Sequence, residues 1–252
     1  MNYKKFKELH NWKEALLLGN VWDVNSAKIC EELWFKSIGT SSWAIANSLG
    51  YEDGENMSFD ELLTVVKNIR RNTSIPLNID MEGGYTRNIG DICKNIKSLA
   101  EWGVVWINIE DSVNNTLLES IDFSNIISEI KAYISKHNLE IFLNIRTDSY
   151  ILGLKEPLSE TLERIRLYEE AWADWIFVPC ITDVNDITKI VSQTILLVNV
   201  MAMPNLPSFD VLSELWVKRI SMWPFVYNKL MWELKWLLGN IVKKQNFNSL
   251  FN

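Results

Sequence analysis

The sequence predicts a single (β/α)8 barrel, an α/β fold with eight parallel strands inside and helices outside. Two observations lead to it. Short apolar runs rich in β-branched residues alternate eight times with helical segments. No segment rich in Pro, Gly or Ser interrupts this alternation, and 252 residues suit one barrel domain. We therefore treat residues 1–252 as one domain, which a helix at about 225–242 closes.

Each predicted strand is followed by a predicted helix. The strands are expected at 15–21, 36–41, 75–80, 104–109, 140–145, 176–178, 195–200 and 218–222. The helices are expected at 25–33, 58–71, 88–101, 122–136, 159–171, 183–192, 208–215 and 225–242. Ser58 and Glu61 have the spacing of a capping box, and Asn88 suits the N-cap of the next helix.

Carboxylates follow two of the predicted strands at the point where each strand ends. Asp80 and Glu82 are two residues apart, so on an extended chain their side chains point to the same side. Glu110 ends the next strand along the chain. Because neighbouring parallel strands end at one edge of the sheet, these acids should converge there, and like charges at that range need a cation between them. Oxygen ligands favour a hard dication, most simply Mg²⁺, with Mn²⁺ as the alternative.

Composition and charge exclude several classes of function. With 25 basic and 32 acidic residues the net charge is −7, and no cluster of basic residues is interleaved with aromatic ones, so we expect no nucleic-acid partner. No apolar run has the length of a signal peptide or of a membrane span, so the sequence predicts a cytoplasmic protein with no membrane partner. Three widely spaced cysteines indicate neither disulfides nor a zinc site.

Taken together, the residues at the strand ends resemble those of the isocitrate lyase and phosphoenolpyruvate mutase superfamily. Each motif is weak alone, but all occur in this order at strand ends over nearly the whole chain. The segments that carry the resemblance are Asn20-Val21-Trp22-Asp23, Thr40-Ser41-Ser42, Ser48-Leu49-Gly50-Tyr51 with Asp53-Gly54, Asp80-Met81-Glu82-Gly83-Gly84-Tyr85, Ile107-Asn108-Ile109-Glu110-Asp111-Ser112, Asn144-Ile145-Arg146-Thr147-Asp148, Ile176-Phe177-Val178-Pro179 and Arg219-Ile220-Ser221.

The resemblance implies a magnesium site that holds the enolate or oxyanion of a small 2-oxo acid. Asp80 would be the direct metal ligand. Glu82, Glu110 and Asp53 would act largely through water molecules around the metal, which makes Asp53 and Glu110 candidate catalytic residues as well.

The resemblance also implies a site for the substrate carboxylate. Ser41 and the backbone amides near Ser42 and Trp43 would hold it, and Trp22 is expected to form a wall of the pocket. Arg146 would be catalytic, because a guanidinium beside a dication lowers the energy of an enolate.

The segment after Glu110-Asp111 departs from the family pattern. Related lyases carry a Lys-Arg-Cys-Gly-His lid there, and the mutases carry a lid that contains Lys. Residues 112–119 of this chain contain no Cys, Lys or His. A reaction that needs only metal, arginine and water agrees best with this, such as decarboxylation of oxaloacetate or retro-aldol cleavage of a related acid.

The sequence therefore predicts a Mg²⁺-dependent lyase that breaks a carbon–carbon bond of a small 2-oxo or 2-hydroxy carboxylate. One alternative is carbon–phosphorus chemistry on phosphonopyruvate or phosphoenolpyruvate. The other is a metal-dependent metabolite-binding protein without turnover. Because the family tends to form tetramers that exchange their last helices, a homodimer or homotetramer is an open expectation, with which the apolar segment 225–238 is compatible.

The tryptophan content is anomalous, with twelve tryptophans beside ten glycines. Trp34, Trp172 and Trp216 each lie between a predicted helix and the next strand, at the C′ position that is usually glycine; the equivalent residue after Glu101 is Gly103. Trp106, Trp175 and Trp223 also stand where the family pattern has glycine. Our hypothesis is that the source reads UGA codons as glycine; the alternative is a tryptophan-rich variant with rebuilt turns.

Overall fold

The computed structural model describes residues 3–10 and 13–251. Its strands are β1 (Leu16–Leu17), β2 (Gly19–Val21), β3 (Ile38–Thr40), β4 (Leu77–Asp80), β5 (Trp106–Glu110), β6 (Ser112–Val113), β7 (Thr116–Leu117), β8 (Phe142–Arg146), β9 (Trp175–Phe177), β10 (Leu197–Met201) and β11 (Arg219–Ser221). Its α-helices are α1 (Tyr3–Glu8), α2 (Val24–Glu32), α3 (Ser42–Leu49), α4 (Phe59–Asn72), α5 (Ile89–Glu101), α6 (Ser120–Lys136), α7 (Pro157–Glu170), α8 (Val184–Ser192), α9 (Phe209–Glu214) and α10 (Phe225–Lys244). A 3₁₀ turn follows at Asn248–Leu250.

Nine parallel strands form the barrel, in the order β1-β11-β10-β9-β8-β5-β4-β3-β2. The two ends of this order belong to one stretch of chain. The Leu18 amide donates to the Ile220 carbonyl at 2.8 Å, and the Gly19 amide donates to the Ser37 carbonyl at 3.3 Å. Residues 16–21 thus bridge β11 and β3, so β1 and β2 together act as one of eight strands. The predicted (β/α)8 barrel is confirmed.

Helices pack around the strands through apolar faces. In α6, Phe123, Ile127, Ile130 and Ile134 are buried at helical spacing against the sheet. Full burial of such a side chain contributes roughly 1.5–3 kcal/mol, so the outer layer supplies much of the stability. At the N-terminal end of the barrel, α1 inserts Phe6 into an apolar cluster with Trp106, Phe142 and Trp175.

All eight predicted helices are present with shifted ends, but two further helices were not predicted. The first is α1, a helix of six residues in a segment that is mostly polar. The second is α3, which begins directly after β3 because the Ser41 hydroxyl accepts a hydrogen bond from the Ala44 amide at 3.3 Å. It ends at Gly50, whose φ of 86° reverses the chain. None of the helices within 3–10 and 13–251 has the length and apolar character needed to cross a membrane.

Candidate active site

A polar cavity of about 440 Å³ opens at the C-terminal ends of the barrel strands, within the usual size range of small-molecule sites. Several acids and two arginines face it. The lining residues are Ser42, Asp53, Gly54, Glu55, Asn56, Glu82, Gly83, Arg87, Glu110, Ser112, Val113, Asn114, Asn115, Arg146, Asp148, Ile151 and Leu152.

Asp80 lies at the end of β4 and is 6% exposed; it does not line this cavity but is bonded to Ser42, which does. Its Oδ2 accepts a 2.9 Å hydrogen bond from the Ser42 hydroxyl, and its amide donates to Thr40 Oγ1 at 3.0 Å. Burial raises the pKa of Asp80, which the charge of Arg146 and the Ser42 hydrogen bond oppose. The side chain is therefore held in place, and a bound cation would stabilise its charged form, which burial disfavours.

Glu82 is fixed in the loop that follows β4. Its Oε2 accepts from the Glu55 amide at 2.8 Å and its Oε1 accepts from the Tyr85 hydroxyl at 3.1 Å. Burial raises its pKa to about 8, and the charges of Asp53 and Asp80 add to the effect. Glu82 itself has a φ of 49°, and Gly84, with a φ of 102°, completes the sharp turn.

Arg146 is held between two carboxylates across the cavity. Its Nη1 is 2.6 Å from Glu110 Oε2, and its Nε and Nη2 donate to the two oxygens of Asp148 at 2.6 and 3.1 Å. Burial raises the pKa of Glu110 to about 8, although Arg146 opposes the shift. Burial also disfavours the charged form of Arg146, but Glu110 and Asp148 outweigh it and raise its pKa.

Asp53 reaches the same cavity from the loop after α3. Burial raises its pKa, and the nearby charge of Asp80 adds to that, while Arg146 lowers it. The four acids predicted from the sequence therefore lie close enough to perturb one another's ionisation, as the predicted convergence requires.

The donor set suits a hard dication with water in its coordination shell. Among residues 3–10 and 13–251, no three His, Cys, Asp or Glu side chains form a compact ligand group. Asp53, Glu82 and Glu110 instead line one cavity, the charge of the neighbouring Asp80 acts on each of them, and the pKa of all four carboxyl groups is raised. Mg²⁺ typically keeps several waters and takes only one or two carboxylates directly, so these residues fit that ion.

The residues predicted to bind the substrate carboxylate divide into two groups. Ser42 lines the cavity, at the first turn of α3. Ser41 is buried as the N-cap of that helix and is not among the lining residues. Trp22 and Trp43 do not line the cavity either; both contact Tyr227 edge-on, with ring centroids 5.0 and 5.8 Å away.

A short hairpin borders one side of the cavity, in the segment where the resemblance predicts a lid. Its strands β6 and β7 are antiparallel, and its tip is Asn114-Asn115, with φ angles of 50° and 58°. The tip asparagines and Val113 line the cavity. Ser112, at the base, donates a 2.5 Å hydrogen bond to Asp148 Oδ2.

Comparison with known proteins identifies the family. Residues 6–241 match the family model described as phosphoenolpyruvate phosphomutase. The chain belongs to the phosphoenolpyruvate phosphomutase family. The Mycobacterium tuberculosis protein Rv1998c, described as uncharacterized, is 31% identical over 216 residues, which cover 86% of this chain and 80% of that protein. The predicted superfamily membership is thereby confirmed.

Enzymes of known activity belong to the same superfamily. The 2-methylisocitrate lyase of Escherichia coli is 25% identical over 190 residues, 71% of this chain and 62% of the lyase. A crystal structure of a phosphonopyruvate hydrolase with oxalate and Mg²⁺ superposes with a TM-score of 0.85 and 18% identity, covering 99% of this chain and 89% of that one, which supports the shared fold. The phosphoenolpyruvate phosphomutase superfamily comprises Mg²⁺-dependent lyases and mutases that cleave carbon–carbon or carbon–phosphorus bonds.

Several cavity residues of this family member were not singled out from the sequence as site residues. Asp148 is two residues beyond Arg146, the spacing that places side chains on one side of an extended chain. Asn114-Asn115 is a pair suited to the left-handed positions of a tight hairpin turn. Glu55 and Arg87 gave no comparable signal, because the loops that place them have no regular periodicity.

Proposed function

We propose that this protein is a Mg²⁺-dependent lyase that breaks a carbon–carbon bond of a small 2-oxo or 2-hydroxy carboxylate through an enolate intermediate. The observation that carries the proposal is that Arg146, ion-paired to Glu110, lines one polar cavity together with Glu82, next to the buried Asp80. A developing enolate oxygen needs positive charge nearby, which the fixed guanidinium and a dication held by these carboxylates would supply.

Each of the site residues has a defined role in this proposal. Asp80 would hold Mg²⁺ directly, with Glu82, Glu110 and Asp53 around it. The ion, when bound, would supply positive charge where the substrate oxygen becomes negative. Arg146 would orient the same oxygen, while Ser42 would fix Asp80 and present its backbone to the substrate carboxylate.

The cavity lining favours a reaction that requires no acid from a lid. Among the described residues that line it there is no Lys, Cys or His. Decarboxylation of oxaloacetate to pyruvate and CO₂ needs charge stabilisation and water, which such a site can offer. Oxaloacetate and methylmalate-type acids are therefore the first substrates to test.

Carbon–phosphorus chemistry on phosphonopyruvate or phosphoenolpyruvate is the second candidate. Arg87 favours it, because its guanidinium lines the cavity and remains half exposed although it forms a 2.7 Å ion pair with Glu55. A phosphonate could engage such a group. The name of the matching family and the activity of the hydrolase described above agree with this alternative.

A third candidate is a metabolite-binding protein that retains the metal site without turnover. The hairpin over the cavity supplies two carboxamide side chains and no proton donor of suitable pKa, which favours binding over catalysis. Oxalate, an enolate mimic, should bind under all three hypotheses in the presence of Mg²⁺ and therefore does not separate them.

One substrate screen separates the three hypotheses. The wild-type protein and Asp80→Ala are incubated with Mg²⁺ and oxaloacetate, methylmalate-type acids or phosphonopyruvate, and pyruvate, CO₂ and inorganic phosphate are measured. Pyruvate without phosphate, lost in Asp80→Ala, supports the lyase; release of phosphate supports the alternative. Oxalate binding without turnover of any acid supports the binding protein, and a wild-type protein that ignores both Mg²⁺ and oxalate overturns all three.

A homo-oligomer remains part of the proposal. Helix α10 leaves Leu230, Trp232, Trp236, Leu238 and Val242 largely exposed. Exposure of this many large apolar side chains on one helix favours an association surface. Light scattering at several protein concentrations tests this: a constant mass of about one chain contradicts it.

A further inference from the structure

A buried ionic cluster joins outer helix α7 to the base of the active site. Asp111 directly follows β5 and is fully buried. Its Oδ2 accepts from the Tyr168 hydroxyl at 2.7 Å and lies 3.1 Å from Arg164 Nη1. Both partners belong to α7, and Arg164 Nη1 also contacts the Tyr168 oxygen at 3.1 Å.

Two hydrogen bonds connect this cluster to the segment that carries Arg146. The Asp148 amide donates to Asp111 Oδ1 at 2.9 Å, and the Asp111 amide donates to the Arg146 carbonyl at 3.0 Å. Asp148 in turn holds the Arg146 guanidinium through two hydrogen bonds. Asp111 is therefore one step from the backbone of Asp148 and two steps from the guanidinium.

The same cluster also fixes the base of the hairpin. Arg164 Nη2 donates to the Leu118 carbonyl at 2.8 Å, and the Leu118 amide donates to the Asp111 carbonyl at 2.9 Å. Ser112, which lies on the other strand at the base of the hairpin, contacts Asp148. One buried cluster thus holds both the segment that carries Arg146 and the base of the hairpin.

Burying an arginine and an aspartate is energetically costly, and an apolar pair of similar volume could stabilise the fold equally well. What an apolar pair could not do is hold the Asp148 amide at a fixed position. An enolate-stabilising group must be placed to within a fraction of an ångström to act.

We propose that Asp111, Arg164 and Tyr168 are positioning residues that act through Asp148 to orient Arg146 toward the substrate. The inference rests on the proposed function, because Arg146 is the cationic group of that function and these three residues would support it from outside the cavity.

Tyr168→Phe is the primary test, because it removes one hydroxyl and keeps the ring against Phe123. With the best substrate of the screen we expect kcat to fall about tenfold, while the Kd of Mg²⁺ stays within about twofold. The matched control is Ser124→Ala, which removes the 3.1 Å hydrogen bond from α6 to the Leu167 carbonyl beside Tyr168 and does not reach Asp111. It should leave kcat unchanged.

A double-mutant cycle with Arg146→Lys distinguishes positioning from packing. If Tyr168 acts through Arg146, Tyr168→Phe should have little further effect on kcat in the Arg146→Lys background. Equal effects in both backgrounds, or a lower melting temperature of Tyr168→Phe with unchanged kcat, would overturn the proposal.

A crystal structure of Tyr168→Phe keeps the inference testable if no acid of the screen is turned over. We expect the contact between Arg146 Nε and Asp148 Oδ1, 2.6 Å in the wild type, to lengthen or to become disordered. An unchanged contact contradicts the positioning role. Failure of the proposed function is recognised separately in the substrate screen, where the wild-type protein would then release phosphate or turn over none of the acids.

An independent observation concerns four tryptophans whose backbone is left-handed. Trp34, Trp172, Trp216 and Trp223 have φ angles of 63°, 67°, 64° and 49°. The first three are C′ residues, each directly after the C-cap of α2, α7 or α9. At the C′ position of α5 the chain has Gly103, with a φ of 72°. This conformation strains any residue with a Cβ and favours glycine.

The side chains of the three C′ tryptophans bury little surface that could offset this strain. They are 81%, 76% and 65% exposed for Trp34, Trp172 and Trp216. Trp106 and Trp175 differ, because they are buried in strands β5 and β9 and their backbone does not require glycine. The observation therefore covers four of the six anomalous positions.

We infer that the natural residue at positions 34, 172, 216 and 223 is glycine, encoded by UGA in a source that reads this codon as glycine. The gene decides: UGA at the four positions supports the inference and UGG overturns it.

Stability gives a second test. Each of Trp34→Gly, Trp172→Gly and Trp216→Gly should raise the melting temperature by about 2 °C, because strain of roughly 1 kcal/mol is relieved. The control Trp236→Gly, on the exposed face of α10, should lower it, since glycine is unfavourable inside a helix. Lower melting temperatures in all four variants would contradict the inference.

Discussion

The hydroxyl of Ser42 donates a 2.9 Å hydrogen bond to Oδ2 of Asp80. This contact joins the first turn of α3 to the end of β4, two elements separated by about forty residues of chain. The Glu82 backbone also interacts with the Asp80 carboxylate, and this contact and the Ser42 hydrogen bond both favour its charged form. These contacts therefore hold the carboxylate in a fixed position and favour the charged form that a cation would bind.

Removal of Asp80 should abolish metal binding. We expect Asp80→Ala to weaken Mg²⁺ binding at least about 100-fold and Ser42→Ala to weaken it about tenfold, because the latter removes only a supporting hydrogen bond. Isothermal titration with Mg²⁺ measures both. Asp91→Ala, an exposed acid of α5, is the control; equal affinities of wild type and Asp80→Ala would exclude Asp80 as the ligand.

The stability of the metal-free protein should decrease as the pH rises. The folded state raises the pKa of Glu82 and of Glu110 from 4.5 to about 8, so it holds protons that the unfolded chain releases. The stabilisation is complete below about pH 4.5 and is lost as the pH approaches 8. Melting curves with a chelator between about pH 5 and 8.5 should show this fall.

Mg²⁺ should reverse that dependence, because the ion binds the carboxylate form and its affinity rises over the same pH range. Glu82→Gln removes one titrating group and should flatten the melting profile of the metal-free protein. A flat profile in the wild type would argue against buried acids with raised pKa values.

Arg146→Lys should lower kcat about 10²- to 10³-fold, because a single ammonium cannot replace a guanidinium that Asp148 and Glu110 hold from two sides. Steady-state kinetics with the substrate found in the screen measures it. The exposed pair of Arg166 and Glu170 on α7 offers a control, since Arg166→Lys should leave kcat as it is. A small effect at Arg146 would mean that it serves only to neutralise its neighbours.

The capping box of α4 should contribute measurably to stability. The Ser58 hydroxyl accepts from the Glu61 amide at 3.3 Å, and Glu61 Oε2 accepts from the Ser58 amide at 2.9 Å. Ser58→Ala should lower the melting temperature by about 2 to 4 °C. Ser98→Ala, which loses only a hydroxyl contact to the Lys94 carbonyl within α5, should change it little.

The sequence predicted the barrel and the acids at its mouth because both follow from local patterns. A buried strand is recognisable from its apolar run, and Asp80 and Glu110 stand out because charge is unexpected at the end of such a run. The predicted enzyme superfamily is confirmed for the same reason, since its motifs occur at these strand ends.

Other features depend on contacts between distant segments, which no local pattern encodes. Helix α3 was missed because it begins directly after β3: Ser41, the last residue of the predicted strand, is the N-cap of this helix. Trp22 and Trp43 point toward Tyr227, and the sequence could not show that α10 supplies that partner. The link from Tyr168 to Asp111 spans 57 residues of chain and depends on how α7 packs.

Helix α1 affects how small molecules reach the polar cavity. Phe6 and its aromatic neighbours fill the N-terminal end of the barrel, so the polar cavity is reached from the C-terminal ends of the strands, beside the hairpin. Under the proposed function, substrate and product would pass through this same opening and occupy the same cavity, so we expect the product to inhibit competitively against the substrate in steady-state kinetics.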